Sequence, residues 1–280
     1  MHFSHRFVAT FFLSTAAIAT PLGSAIAQHS DVLLANIGGQ ATVGAAADIG
    51  GAQESFDLDT RVFESVLLAG GLLPPALAKD FEGNEPGFFG LDAVANAADL
   101  AALSAAPLPA GADVGISLTP FSLGGATGTL LYWDGTGPVS FEPAPAETSF
   151  SFEPAGAFAL TGGGGGFDDH PVYQLDNGGA GKPADGVYAV APTISVAGLD
   201  SSEPFYLVFL ADALIIGDDD AEAVEAALER VEEGLSNDAM YAGKDFAFYE
   251  RAVDFVDATV VPEPHGLALL SLAAITAGAL

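Results

Sequence analysis

Apolar residues in this chain fall in short runs, many of them alternating with polar residues, and Gly, Pro or Asp closes nearly every run. That punctuation predicts strands joined by tight turns. Eight segments fit: 31–37 (DVLLANI), 60–68 (TRVFESVLL), 112–121 (ADVGISLTPF), 128–133 (GTLLYW), 148–154 (TSFSFEP), 170–176 (HPVYQLD), 186–198 (GVYAVAPTISVAG) and 204–212 (PFYLVFLAD). In the second, Val62, Glu64 and Val66 face one way and Phe63, Ser65 and Leu67 the other. Eight or more such runs in one body predict a mainly β fold, a β-sandwich or jelly roll in a single domain with one or two peripheral helices.

Two stretches carry a different period. The Ala-rich segment 91–107 can form a short connecting helix. Segment 218–235 is the clearer helix: three Asp open it, Gly234 lies near its end, and Val224, Leu228, Val231 and Leu235 form one stripe. The phrase SFEPA occurs at 140–144 and again at 151–155, which fits two neighbouring strands of a hairpin. The glycine run at 161–170 reads as a flexible loop.

Half of the 280 residues are apolar and 20 are Phe, so the chain has the material for a core and is not a disordered acidic chain. There is no cysteine, which removes disulfides, thiol catalysis and Cys-based metal sites. Beyond residue 27, six basic residues stand against 37 acidic ones, a net −31. Such a surface repels nucleic acid and anionic headgroups and keeps the protein soluble.

Few motifs carry chemistry. Segment 177–184 (NGGAGKPA) contains Gly-Lys, but Pro183 stands where a phosphate loop needs Ser or Thr, so it is a turn. Neither a Gly-x-Ser-x-Gly elbow nor a His-Glu-x-x-His motif occurs, and with this many carboxylates acid–base pairs arise by chance. The expectation is therefore a protein without catalysis and without a required cofactor. Oxygen ligands do gather at Asp168, Asp169, His170 and Asp176, and such a group can take Ca²⁺, although the order is not that of an EF-hand. A second acidic run, at 217–220, is explained by helix capping. His29 would form a two-histidine metal pair with His170 if the fold joined them. Tyr132, Trp133 and Tyr173 are the aromatic rings that would stack on a sugar in a carbohydrate-binding module.

The termini are the most specific part. Residues 1–27 hold Arg6, an apolar run from Phe7 to Ala19, and then Ala25-Ile26-Ala27, the small-x-small pattern of a signal-peptide cleavage site. Cleavage after Ala27 would start the mature chain at Gln28. At the other end, Val261-Pro262-Glu263-Pro264 precedes a charge-free run from Gly266 to Leu280, about 22 Å long as a helix. This tail resembles the PEP-CTERM sorting signal of exported bacterial proteins. The family's closing basic cluster is not present within these residues. The resemblance implies a signal peptidase and an exosortase-type sorting enzyme as partners, transient membrane anchorage through the tail, and delivery to the cell envelope, biofilm or extracellular matrix. Segments 132–143 and 183–209 are similar to secreted proteins of exosortase-bearing bacteria and imply one β-rich domain, but no activity.

The chain thus divides into a signal peptide (1–27), an acidic β-rich extracellular domain (28–261) and an apolar sorting helix (262–280). The expected role is a structural or interaction protein of the cell surface. A secreted carbohydrate-binding module that takes extracellular polysaccharide is the alternative, and an extracellular hydrolase comes third.

Overall fold

A computed structural model describes residues 31–48 and 54–260. The signal segment with Ala25, Ala27 and Gln28, His29, the Val261–Pro264 motif and the apolar tail lie outside the described residues.

The described part is mainly β, and its centre is the strand Gly186–Val196. Its first half pairs antiparallel with Leu131–Trp133 on one side and Tyr206–Ala211 on the other. Its second half pairs with Asp113–Thr119, which in turn holds Ala157–Leu160. Val62–Leu67 closes one edge of this sheet, running parallel to Tyr206–Ala211. Period-2 alternation sends each of these strands into two cores. Phe63, Leu67, Tyr188, Val190, Leu207 and Phe209 enter the first. Val62, Val66, Val187, Ala189, Val208 and Leu210 enter the second. Both faces are therefore covered, which is why all six residues of Val62–Leu67 are buried.

The first core is closed by two further sheets. One has five strands in the order Phe167–Asp169, Phe88–Gly90, Val32–Ile37, Gln40–Asp48, Glu54–Asp57. The other has three: Ser149–Glu153, Val172–Asp176 and Phe81–Gly83. Phe209 packs with Phe150 and Tyr173, each ring centroid 5.1 Å away, and burial of a ring of that size contributes roughly 1.5–3 kcal/mol. The second core is closed by helices. These are α2 (Asp218–Glu232) and α3 (Phe248–Val260), which follow the short α1 (Ala97–Ala102). Val224 and Leu228 from α2, and Tyr249, Ala252, Val253 and Val256 from α3, complete it.

All eight expected strand segments contain strands, with boundaries moved by a few residues. Several expectations need correction. α3 is a third helix where one or two were expected, and its spacing of three, one and three places one stripe on the sheet. α2 stops at Glu232 and Gly234 turns the chain with φ +69°, so Leu235 leaves the stripe and is 66% exposed. The two SFEPA copies do not pair. Glu142–Pro143 joins Leu131–Trp133, whereas Ser149–Glu153 joins Val172–Asp176. The glycine run is a packed turn followed by the strand Phe167–Asp169. A side chain on Gly164 would meet a carboxylate oxygen of Asp92 at 1.9 Å, and one on Gly165 would meet the Leu108 carbonyl at 2.4 Å. Gln40–Asp48 carries little strand signal of its own because four of its nine residues are Ala and one is Gly, poor strand formers. Its signal was the Gly38-Gly39 pair, whose φ of +63° and +94° makes a two-residue hairpin turn.

Candidate functional site

Three neighbouring strands of the five-stranded sheet end at one place. Val32 lies beside Phe88 in parallel register, and Phe88 lies opposite Asp169 in antiparallel register. One step beyond that row are Asp31, Gly87 and His170. The middle position has no side chain, and the His170 ring occupies the room this leaves. A Cβ on Gly87 would come within 2.4 Å of the imidazole Cε1. Asp168 lies two residues before His170 and so on the same side of its strand.

Asp31, Asp168 and His170 converge: one donor atom from each lies within 4.8 Å of the others. His170 Nδ1 is 3.2 Å from the Asn84 carbonyl oxygen and 3.3 Å from Glu85 Oε1, while Nε2 is 3.6 Å from Asp168 Oδ1. Asp31 Oδ1 accepts the Gly87 N–H at 2.8 Å, and Glu85 Oε2 accepts it at 3.2 Å. Burial works against a charge on His170, but Glu85, the Asn84 carbonyl, Asp31 and Asp168 outweigh it and raise the imidazole pKa. Burial also raises Glu85, despite the nearby His170.

The sequence named Asp168, Asp169, His170 and Asp176 together, and the structure divides them. Asp169 points to the opposite face and accepts the His170 backbone N–H at 2.9 Å. Asp176 ends the next strand and pairs with Lys79 at 3.1 Å. Asp31 takes a place in the group instead. No sequence spacing could signal it, since strand pairing alone brings residues 31 and 170 together. His29 lies outside the described residues.

The sugar-stacking expectation is overturned. Tyr132, Trp133 and Tyr173 are 9%, 3% and 0% exposed, and a stacking platform needs an open ring face. Tyr132 donates to the Asp185 carbonyl at 3.0 Å, Trp133 Nε1 to the Thr136 carbonyl at 3.2 Å, and Tyr173 to the Pro86 carbonyl. They are core residues whose polar ends are satisfied. The acidic run at 217–220 caps α2, as expected. Asp220 accepts the Ile216 N–H at 2.9 Å and a hydrogen bond from the Tyr241 hydroxyl.

A second acidic group lies under the helices. Glu64 points from Val62–Leu67 toward the second core and is 2% exposed. Burial, then the charges of Glu250, Glu232, Glu225 and Asp254, hold its pKa well above the carboxylate range. Glu225 and Glu232 lie one heptad apart on α2, and Glu250 and Asp254 one turn apart on α3. Burial first, then neighbouring carboxylates, push Glu225 and Glu232 up to about 7 and Glu250 to about 8. Beside them the buried Tyr249 hydroxyl accepts the Ser65 N–H at 2.9 Å and donates to the Val208 carbonyl at 2.7 Å. It thereby bridges the edge strand and its neighbour.

Comparison with protein-family models, curated proteins and solved structures returned no match. Among the described residues no helix is long and apolar enough to cross a membrane.

Proposed function

We propose that this chain is an exported protein of the cell envelope or extracellular matrix with a structural or interaction role and no catalysis. Its body would be a β-sandwich or jelly-roll-like domain, carried between the signal peptide and the PEP-CTERM-like tail. The observation that supports this reading is the packed body together with the motif that follows it in the sequence. α3 packs Tyr249, Ala252, Val253 and Val256 into the second core, and Val261-Pro262-Glu263-Pro264 follows this helix along the chain. The described body thus has a core built from its own residues. The chain's charge fits an exported, soluble surface. Tyr132, Trp133 and Tyr173 no longer support the carbohydrate-binding alternative.

The test is retention. In an exosortase-bearing host, the full chain should be found at the cell surface, and a chain ending at Val261 should unfold at the same temperature but escape into the medium. Equal retention of both chains, or unfolding of the shorter one, rejects the proposal.

A further inference from the structure

We propose that Asp31, Asp168 and His170 bind a first-row divalent transition-metal ion, with Zn²⁺ as the representative probe, and that the ion clamps the first strand of the domain to the sheet. This inference is independent of the export reading. Four observations carry it. One imidazole nitrogen and two carboxylate oxygens already lie within 4.8 Å of one another. Ligands about 2.0–2.2 Å from one ion sit roughly 3–3.5 Å apart, so only a small inward movement is needed. The 3.6 Å separation of His170 Nε2 from Asp168 Oδ1 is close to that spacing.

The imidazole is also oriented as in metal sites. The Asn84 carbonyl, 3.2 Å from Nδ1, takes the Nδ1–H and leaves the Nε2 lone pair on the side of Asp168. A backbone carbonyl on the far nitrogen is the usual outer-shell partner of a ligating histidine. Gly87 supplies the third observation, since any larger residue would push the ring out of this position. The fourth is charge. Asp31, Asp168 and Glu85 surround a single imidazole, and Asp31 and Glu85 both accept the same Gly87 N–H. A divalent ion would relieve that crowding.

The donor set decides the class of ion. Imidazole suits Zn²⁺ and its neighbours, whereas Ca²⁺ takes six to eight oxygens and gains little from a ring nitrogen. The donor set thus favours a softer ion over the Ca²⁺ that the sequence allowed at Asp168, Asp169, His170 and Asp176. Binding replaces any proton on Nε2 with the metal and releases that proton to solvent. It would join residues 31, 168 and 170 across the sheet end.

The experiment uses the full chain without a polyhistidine tag, stripped with a chelator and held at pH 7 in physiological salt. Zn²⁺ should bind with one-to-one stoichiometry by equilibrium dialysis. At a hundredfold excess over Kd it should raise Tm by about 5–10 °C. Excess Ca²⁺, which covers surface carboxylates, should leave the shift intact. Co²⁺ should give visible ligand-field absorption. His170→Gln and Asp168→Asn should each weaken Zn²⁺ binding at least tenfold and remove the Tm shift, with a metal-free Tm equal to the parent's. Equal Zn²⁺ binding by parent and His170→Gln, displacement by Ca²⁺, or no Tm shift in the parent each overturns the proposal. If His170→Gln lowers the metal-free Tm, Asp168→Asn decides, because its side chain is 76% exposed and has no core to disturb.

Discussion

Glu64 and Glu82 are both strand residues and both almost fully buried, at 2% and 0% exposure, yet their surroundings are opposite. Glu82 is enclosed by donors. Its Oε2 accepts the N–H groups of Leu72, at 2.5 Å, and Leu73, at 2.8 Å. Its Oε1 accepts the Lys79 N–H at 2.8 Å and Gln174 Nε2 at 3.0 Å. Burial raises its pKa, but these four bonds reverse the effect and leave it below the ordinary value. Glu64 sits among carboxylates from both helices, and burial and charge act on it in the same direction. Burial by itself thus does not fix the state of an acid; the groups that face it do. Glu82 organises the loop 72–79 as an anion, while the Glu64 group favours a protonated interior.

The strongest way to break this comparison is to remove the organising anion. Glu82→Ala leaves three backbone N–H groups and an amide without their acceptor. It should cost about 3–5 kcal/mol by urea unfolding at pH 7. Glu82→Gln should recover little of this, because an amide NH₂ would face the N–H donors. A loss below 1 kcal/mol would mean that the loop does not depend on the carboxylate.

The pH dependence should separate the two acids. Glu225, Glu232 and Glu250 have folded pKa values of about 7, 7 and 8, against roughly 4.3 in the unfolded chain. Between those limits the folded state holds more protons, so stability falls as pH rises. Glu82 has the reverse sign: its contribution is present above the unfolded value and is lost as pH falls through its lowered folded pKa. Stability should therefore peak near pH 5 and drop by about 2–3 kcal/mol by pH 8, a figure reduced for partial solvent exposure. A flat profile between pH 5 and 8 would show that the helix seam carries no proton preference.

A smaller effect sharpens the same point. Glu64→Gln keeps the shape and removes the titration, so it should stabilise the protein by about 1–2 kcal/mol at pH 8 and change little near pH 5. Equal effects at both pH values would assign the change to packing. Tyr249→Phe should have the least effect, about 1 kcal/mol lost, because it removes a bridge between Ser65 and Val208 that the two strands can partly replace by direct pairing. Its pH profile should parallel the parent's.

Much of this was readable along the chain. The strand segments, the two faces of Val62–Leu67 and the start of α2 follow from local period and capping, which depend on residues a few positions apart. Two missed elements were legible in the same way: the Gly38-Gly39 hairpin and the apolar stripe of α3.

What the sequence could not decide was partnership between distant segments. Strand pairing sets Asp31 beside His170 and sends Asp169 and Asp176 elsewhere, and no local spacing encodes that register. Burial of Tyr132, Trp133 and Tyr173 was equally invisible, since a strand aromatic looks the same whether its face meets water or another sheet. The fates of Glu64 and Glu82 differ for the same reason. Nothing in the neighbouring residues marks the difference: one strand meets a loop of N–H donors and the other lies under an acidic helix pair. Composition and local pattern determined that this chain would build a β-rich acidic body. The contacts among residues far apart in sequence decided which of its acids face N–H donors, which face one another and which converge on His170.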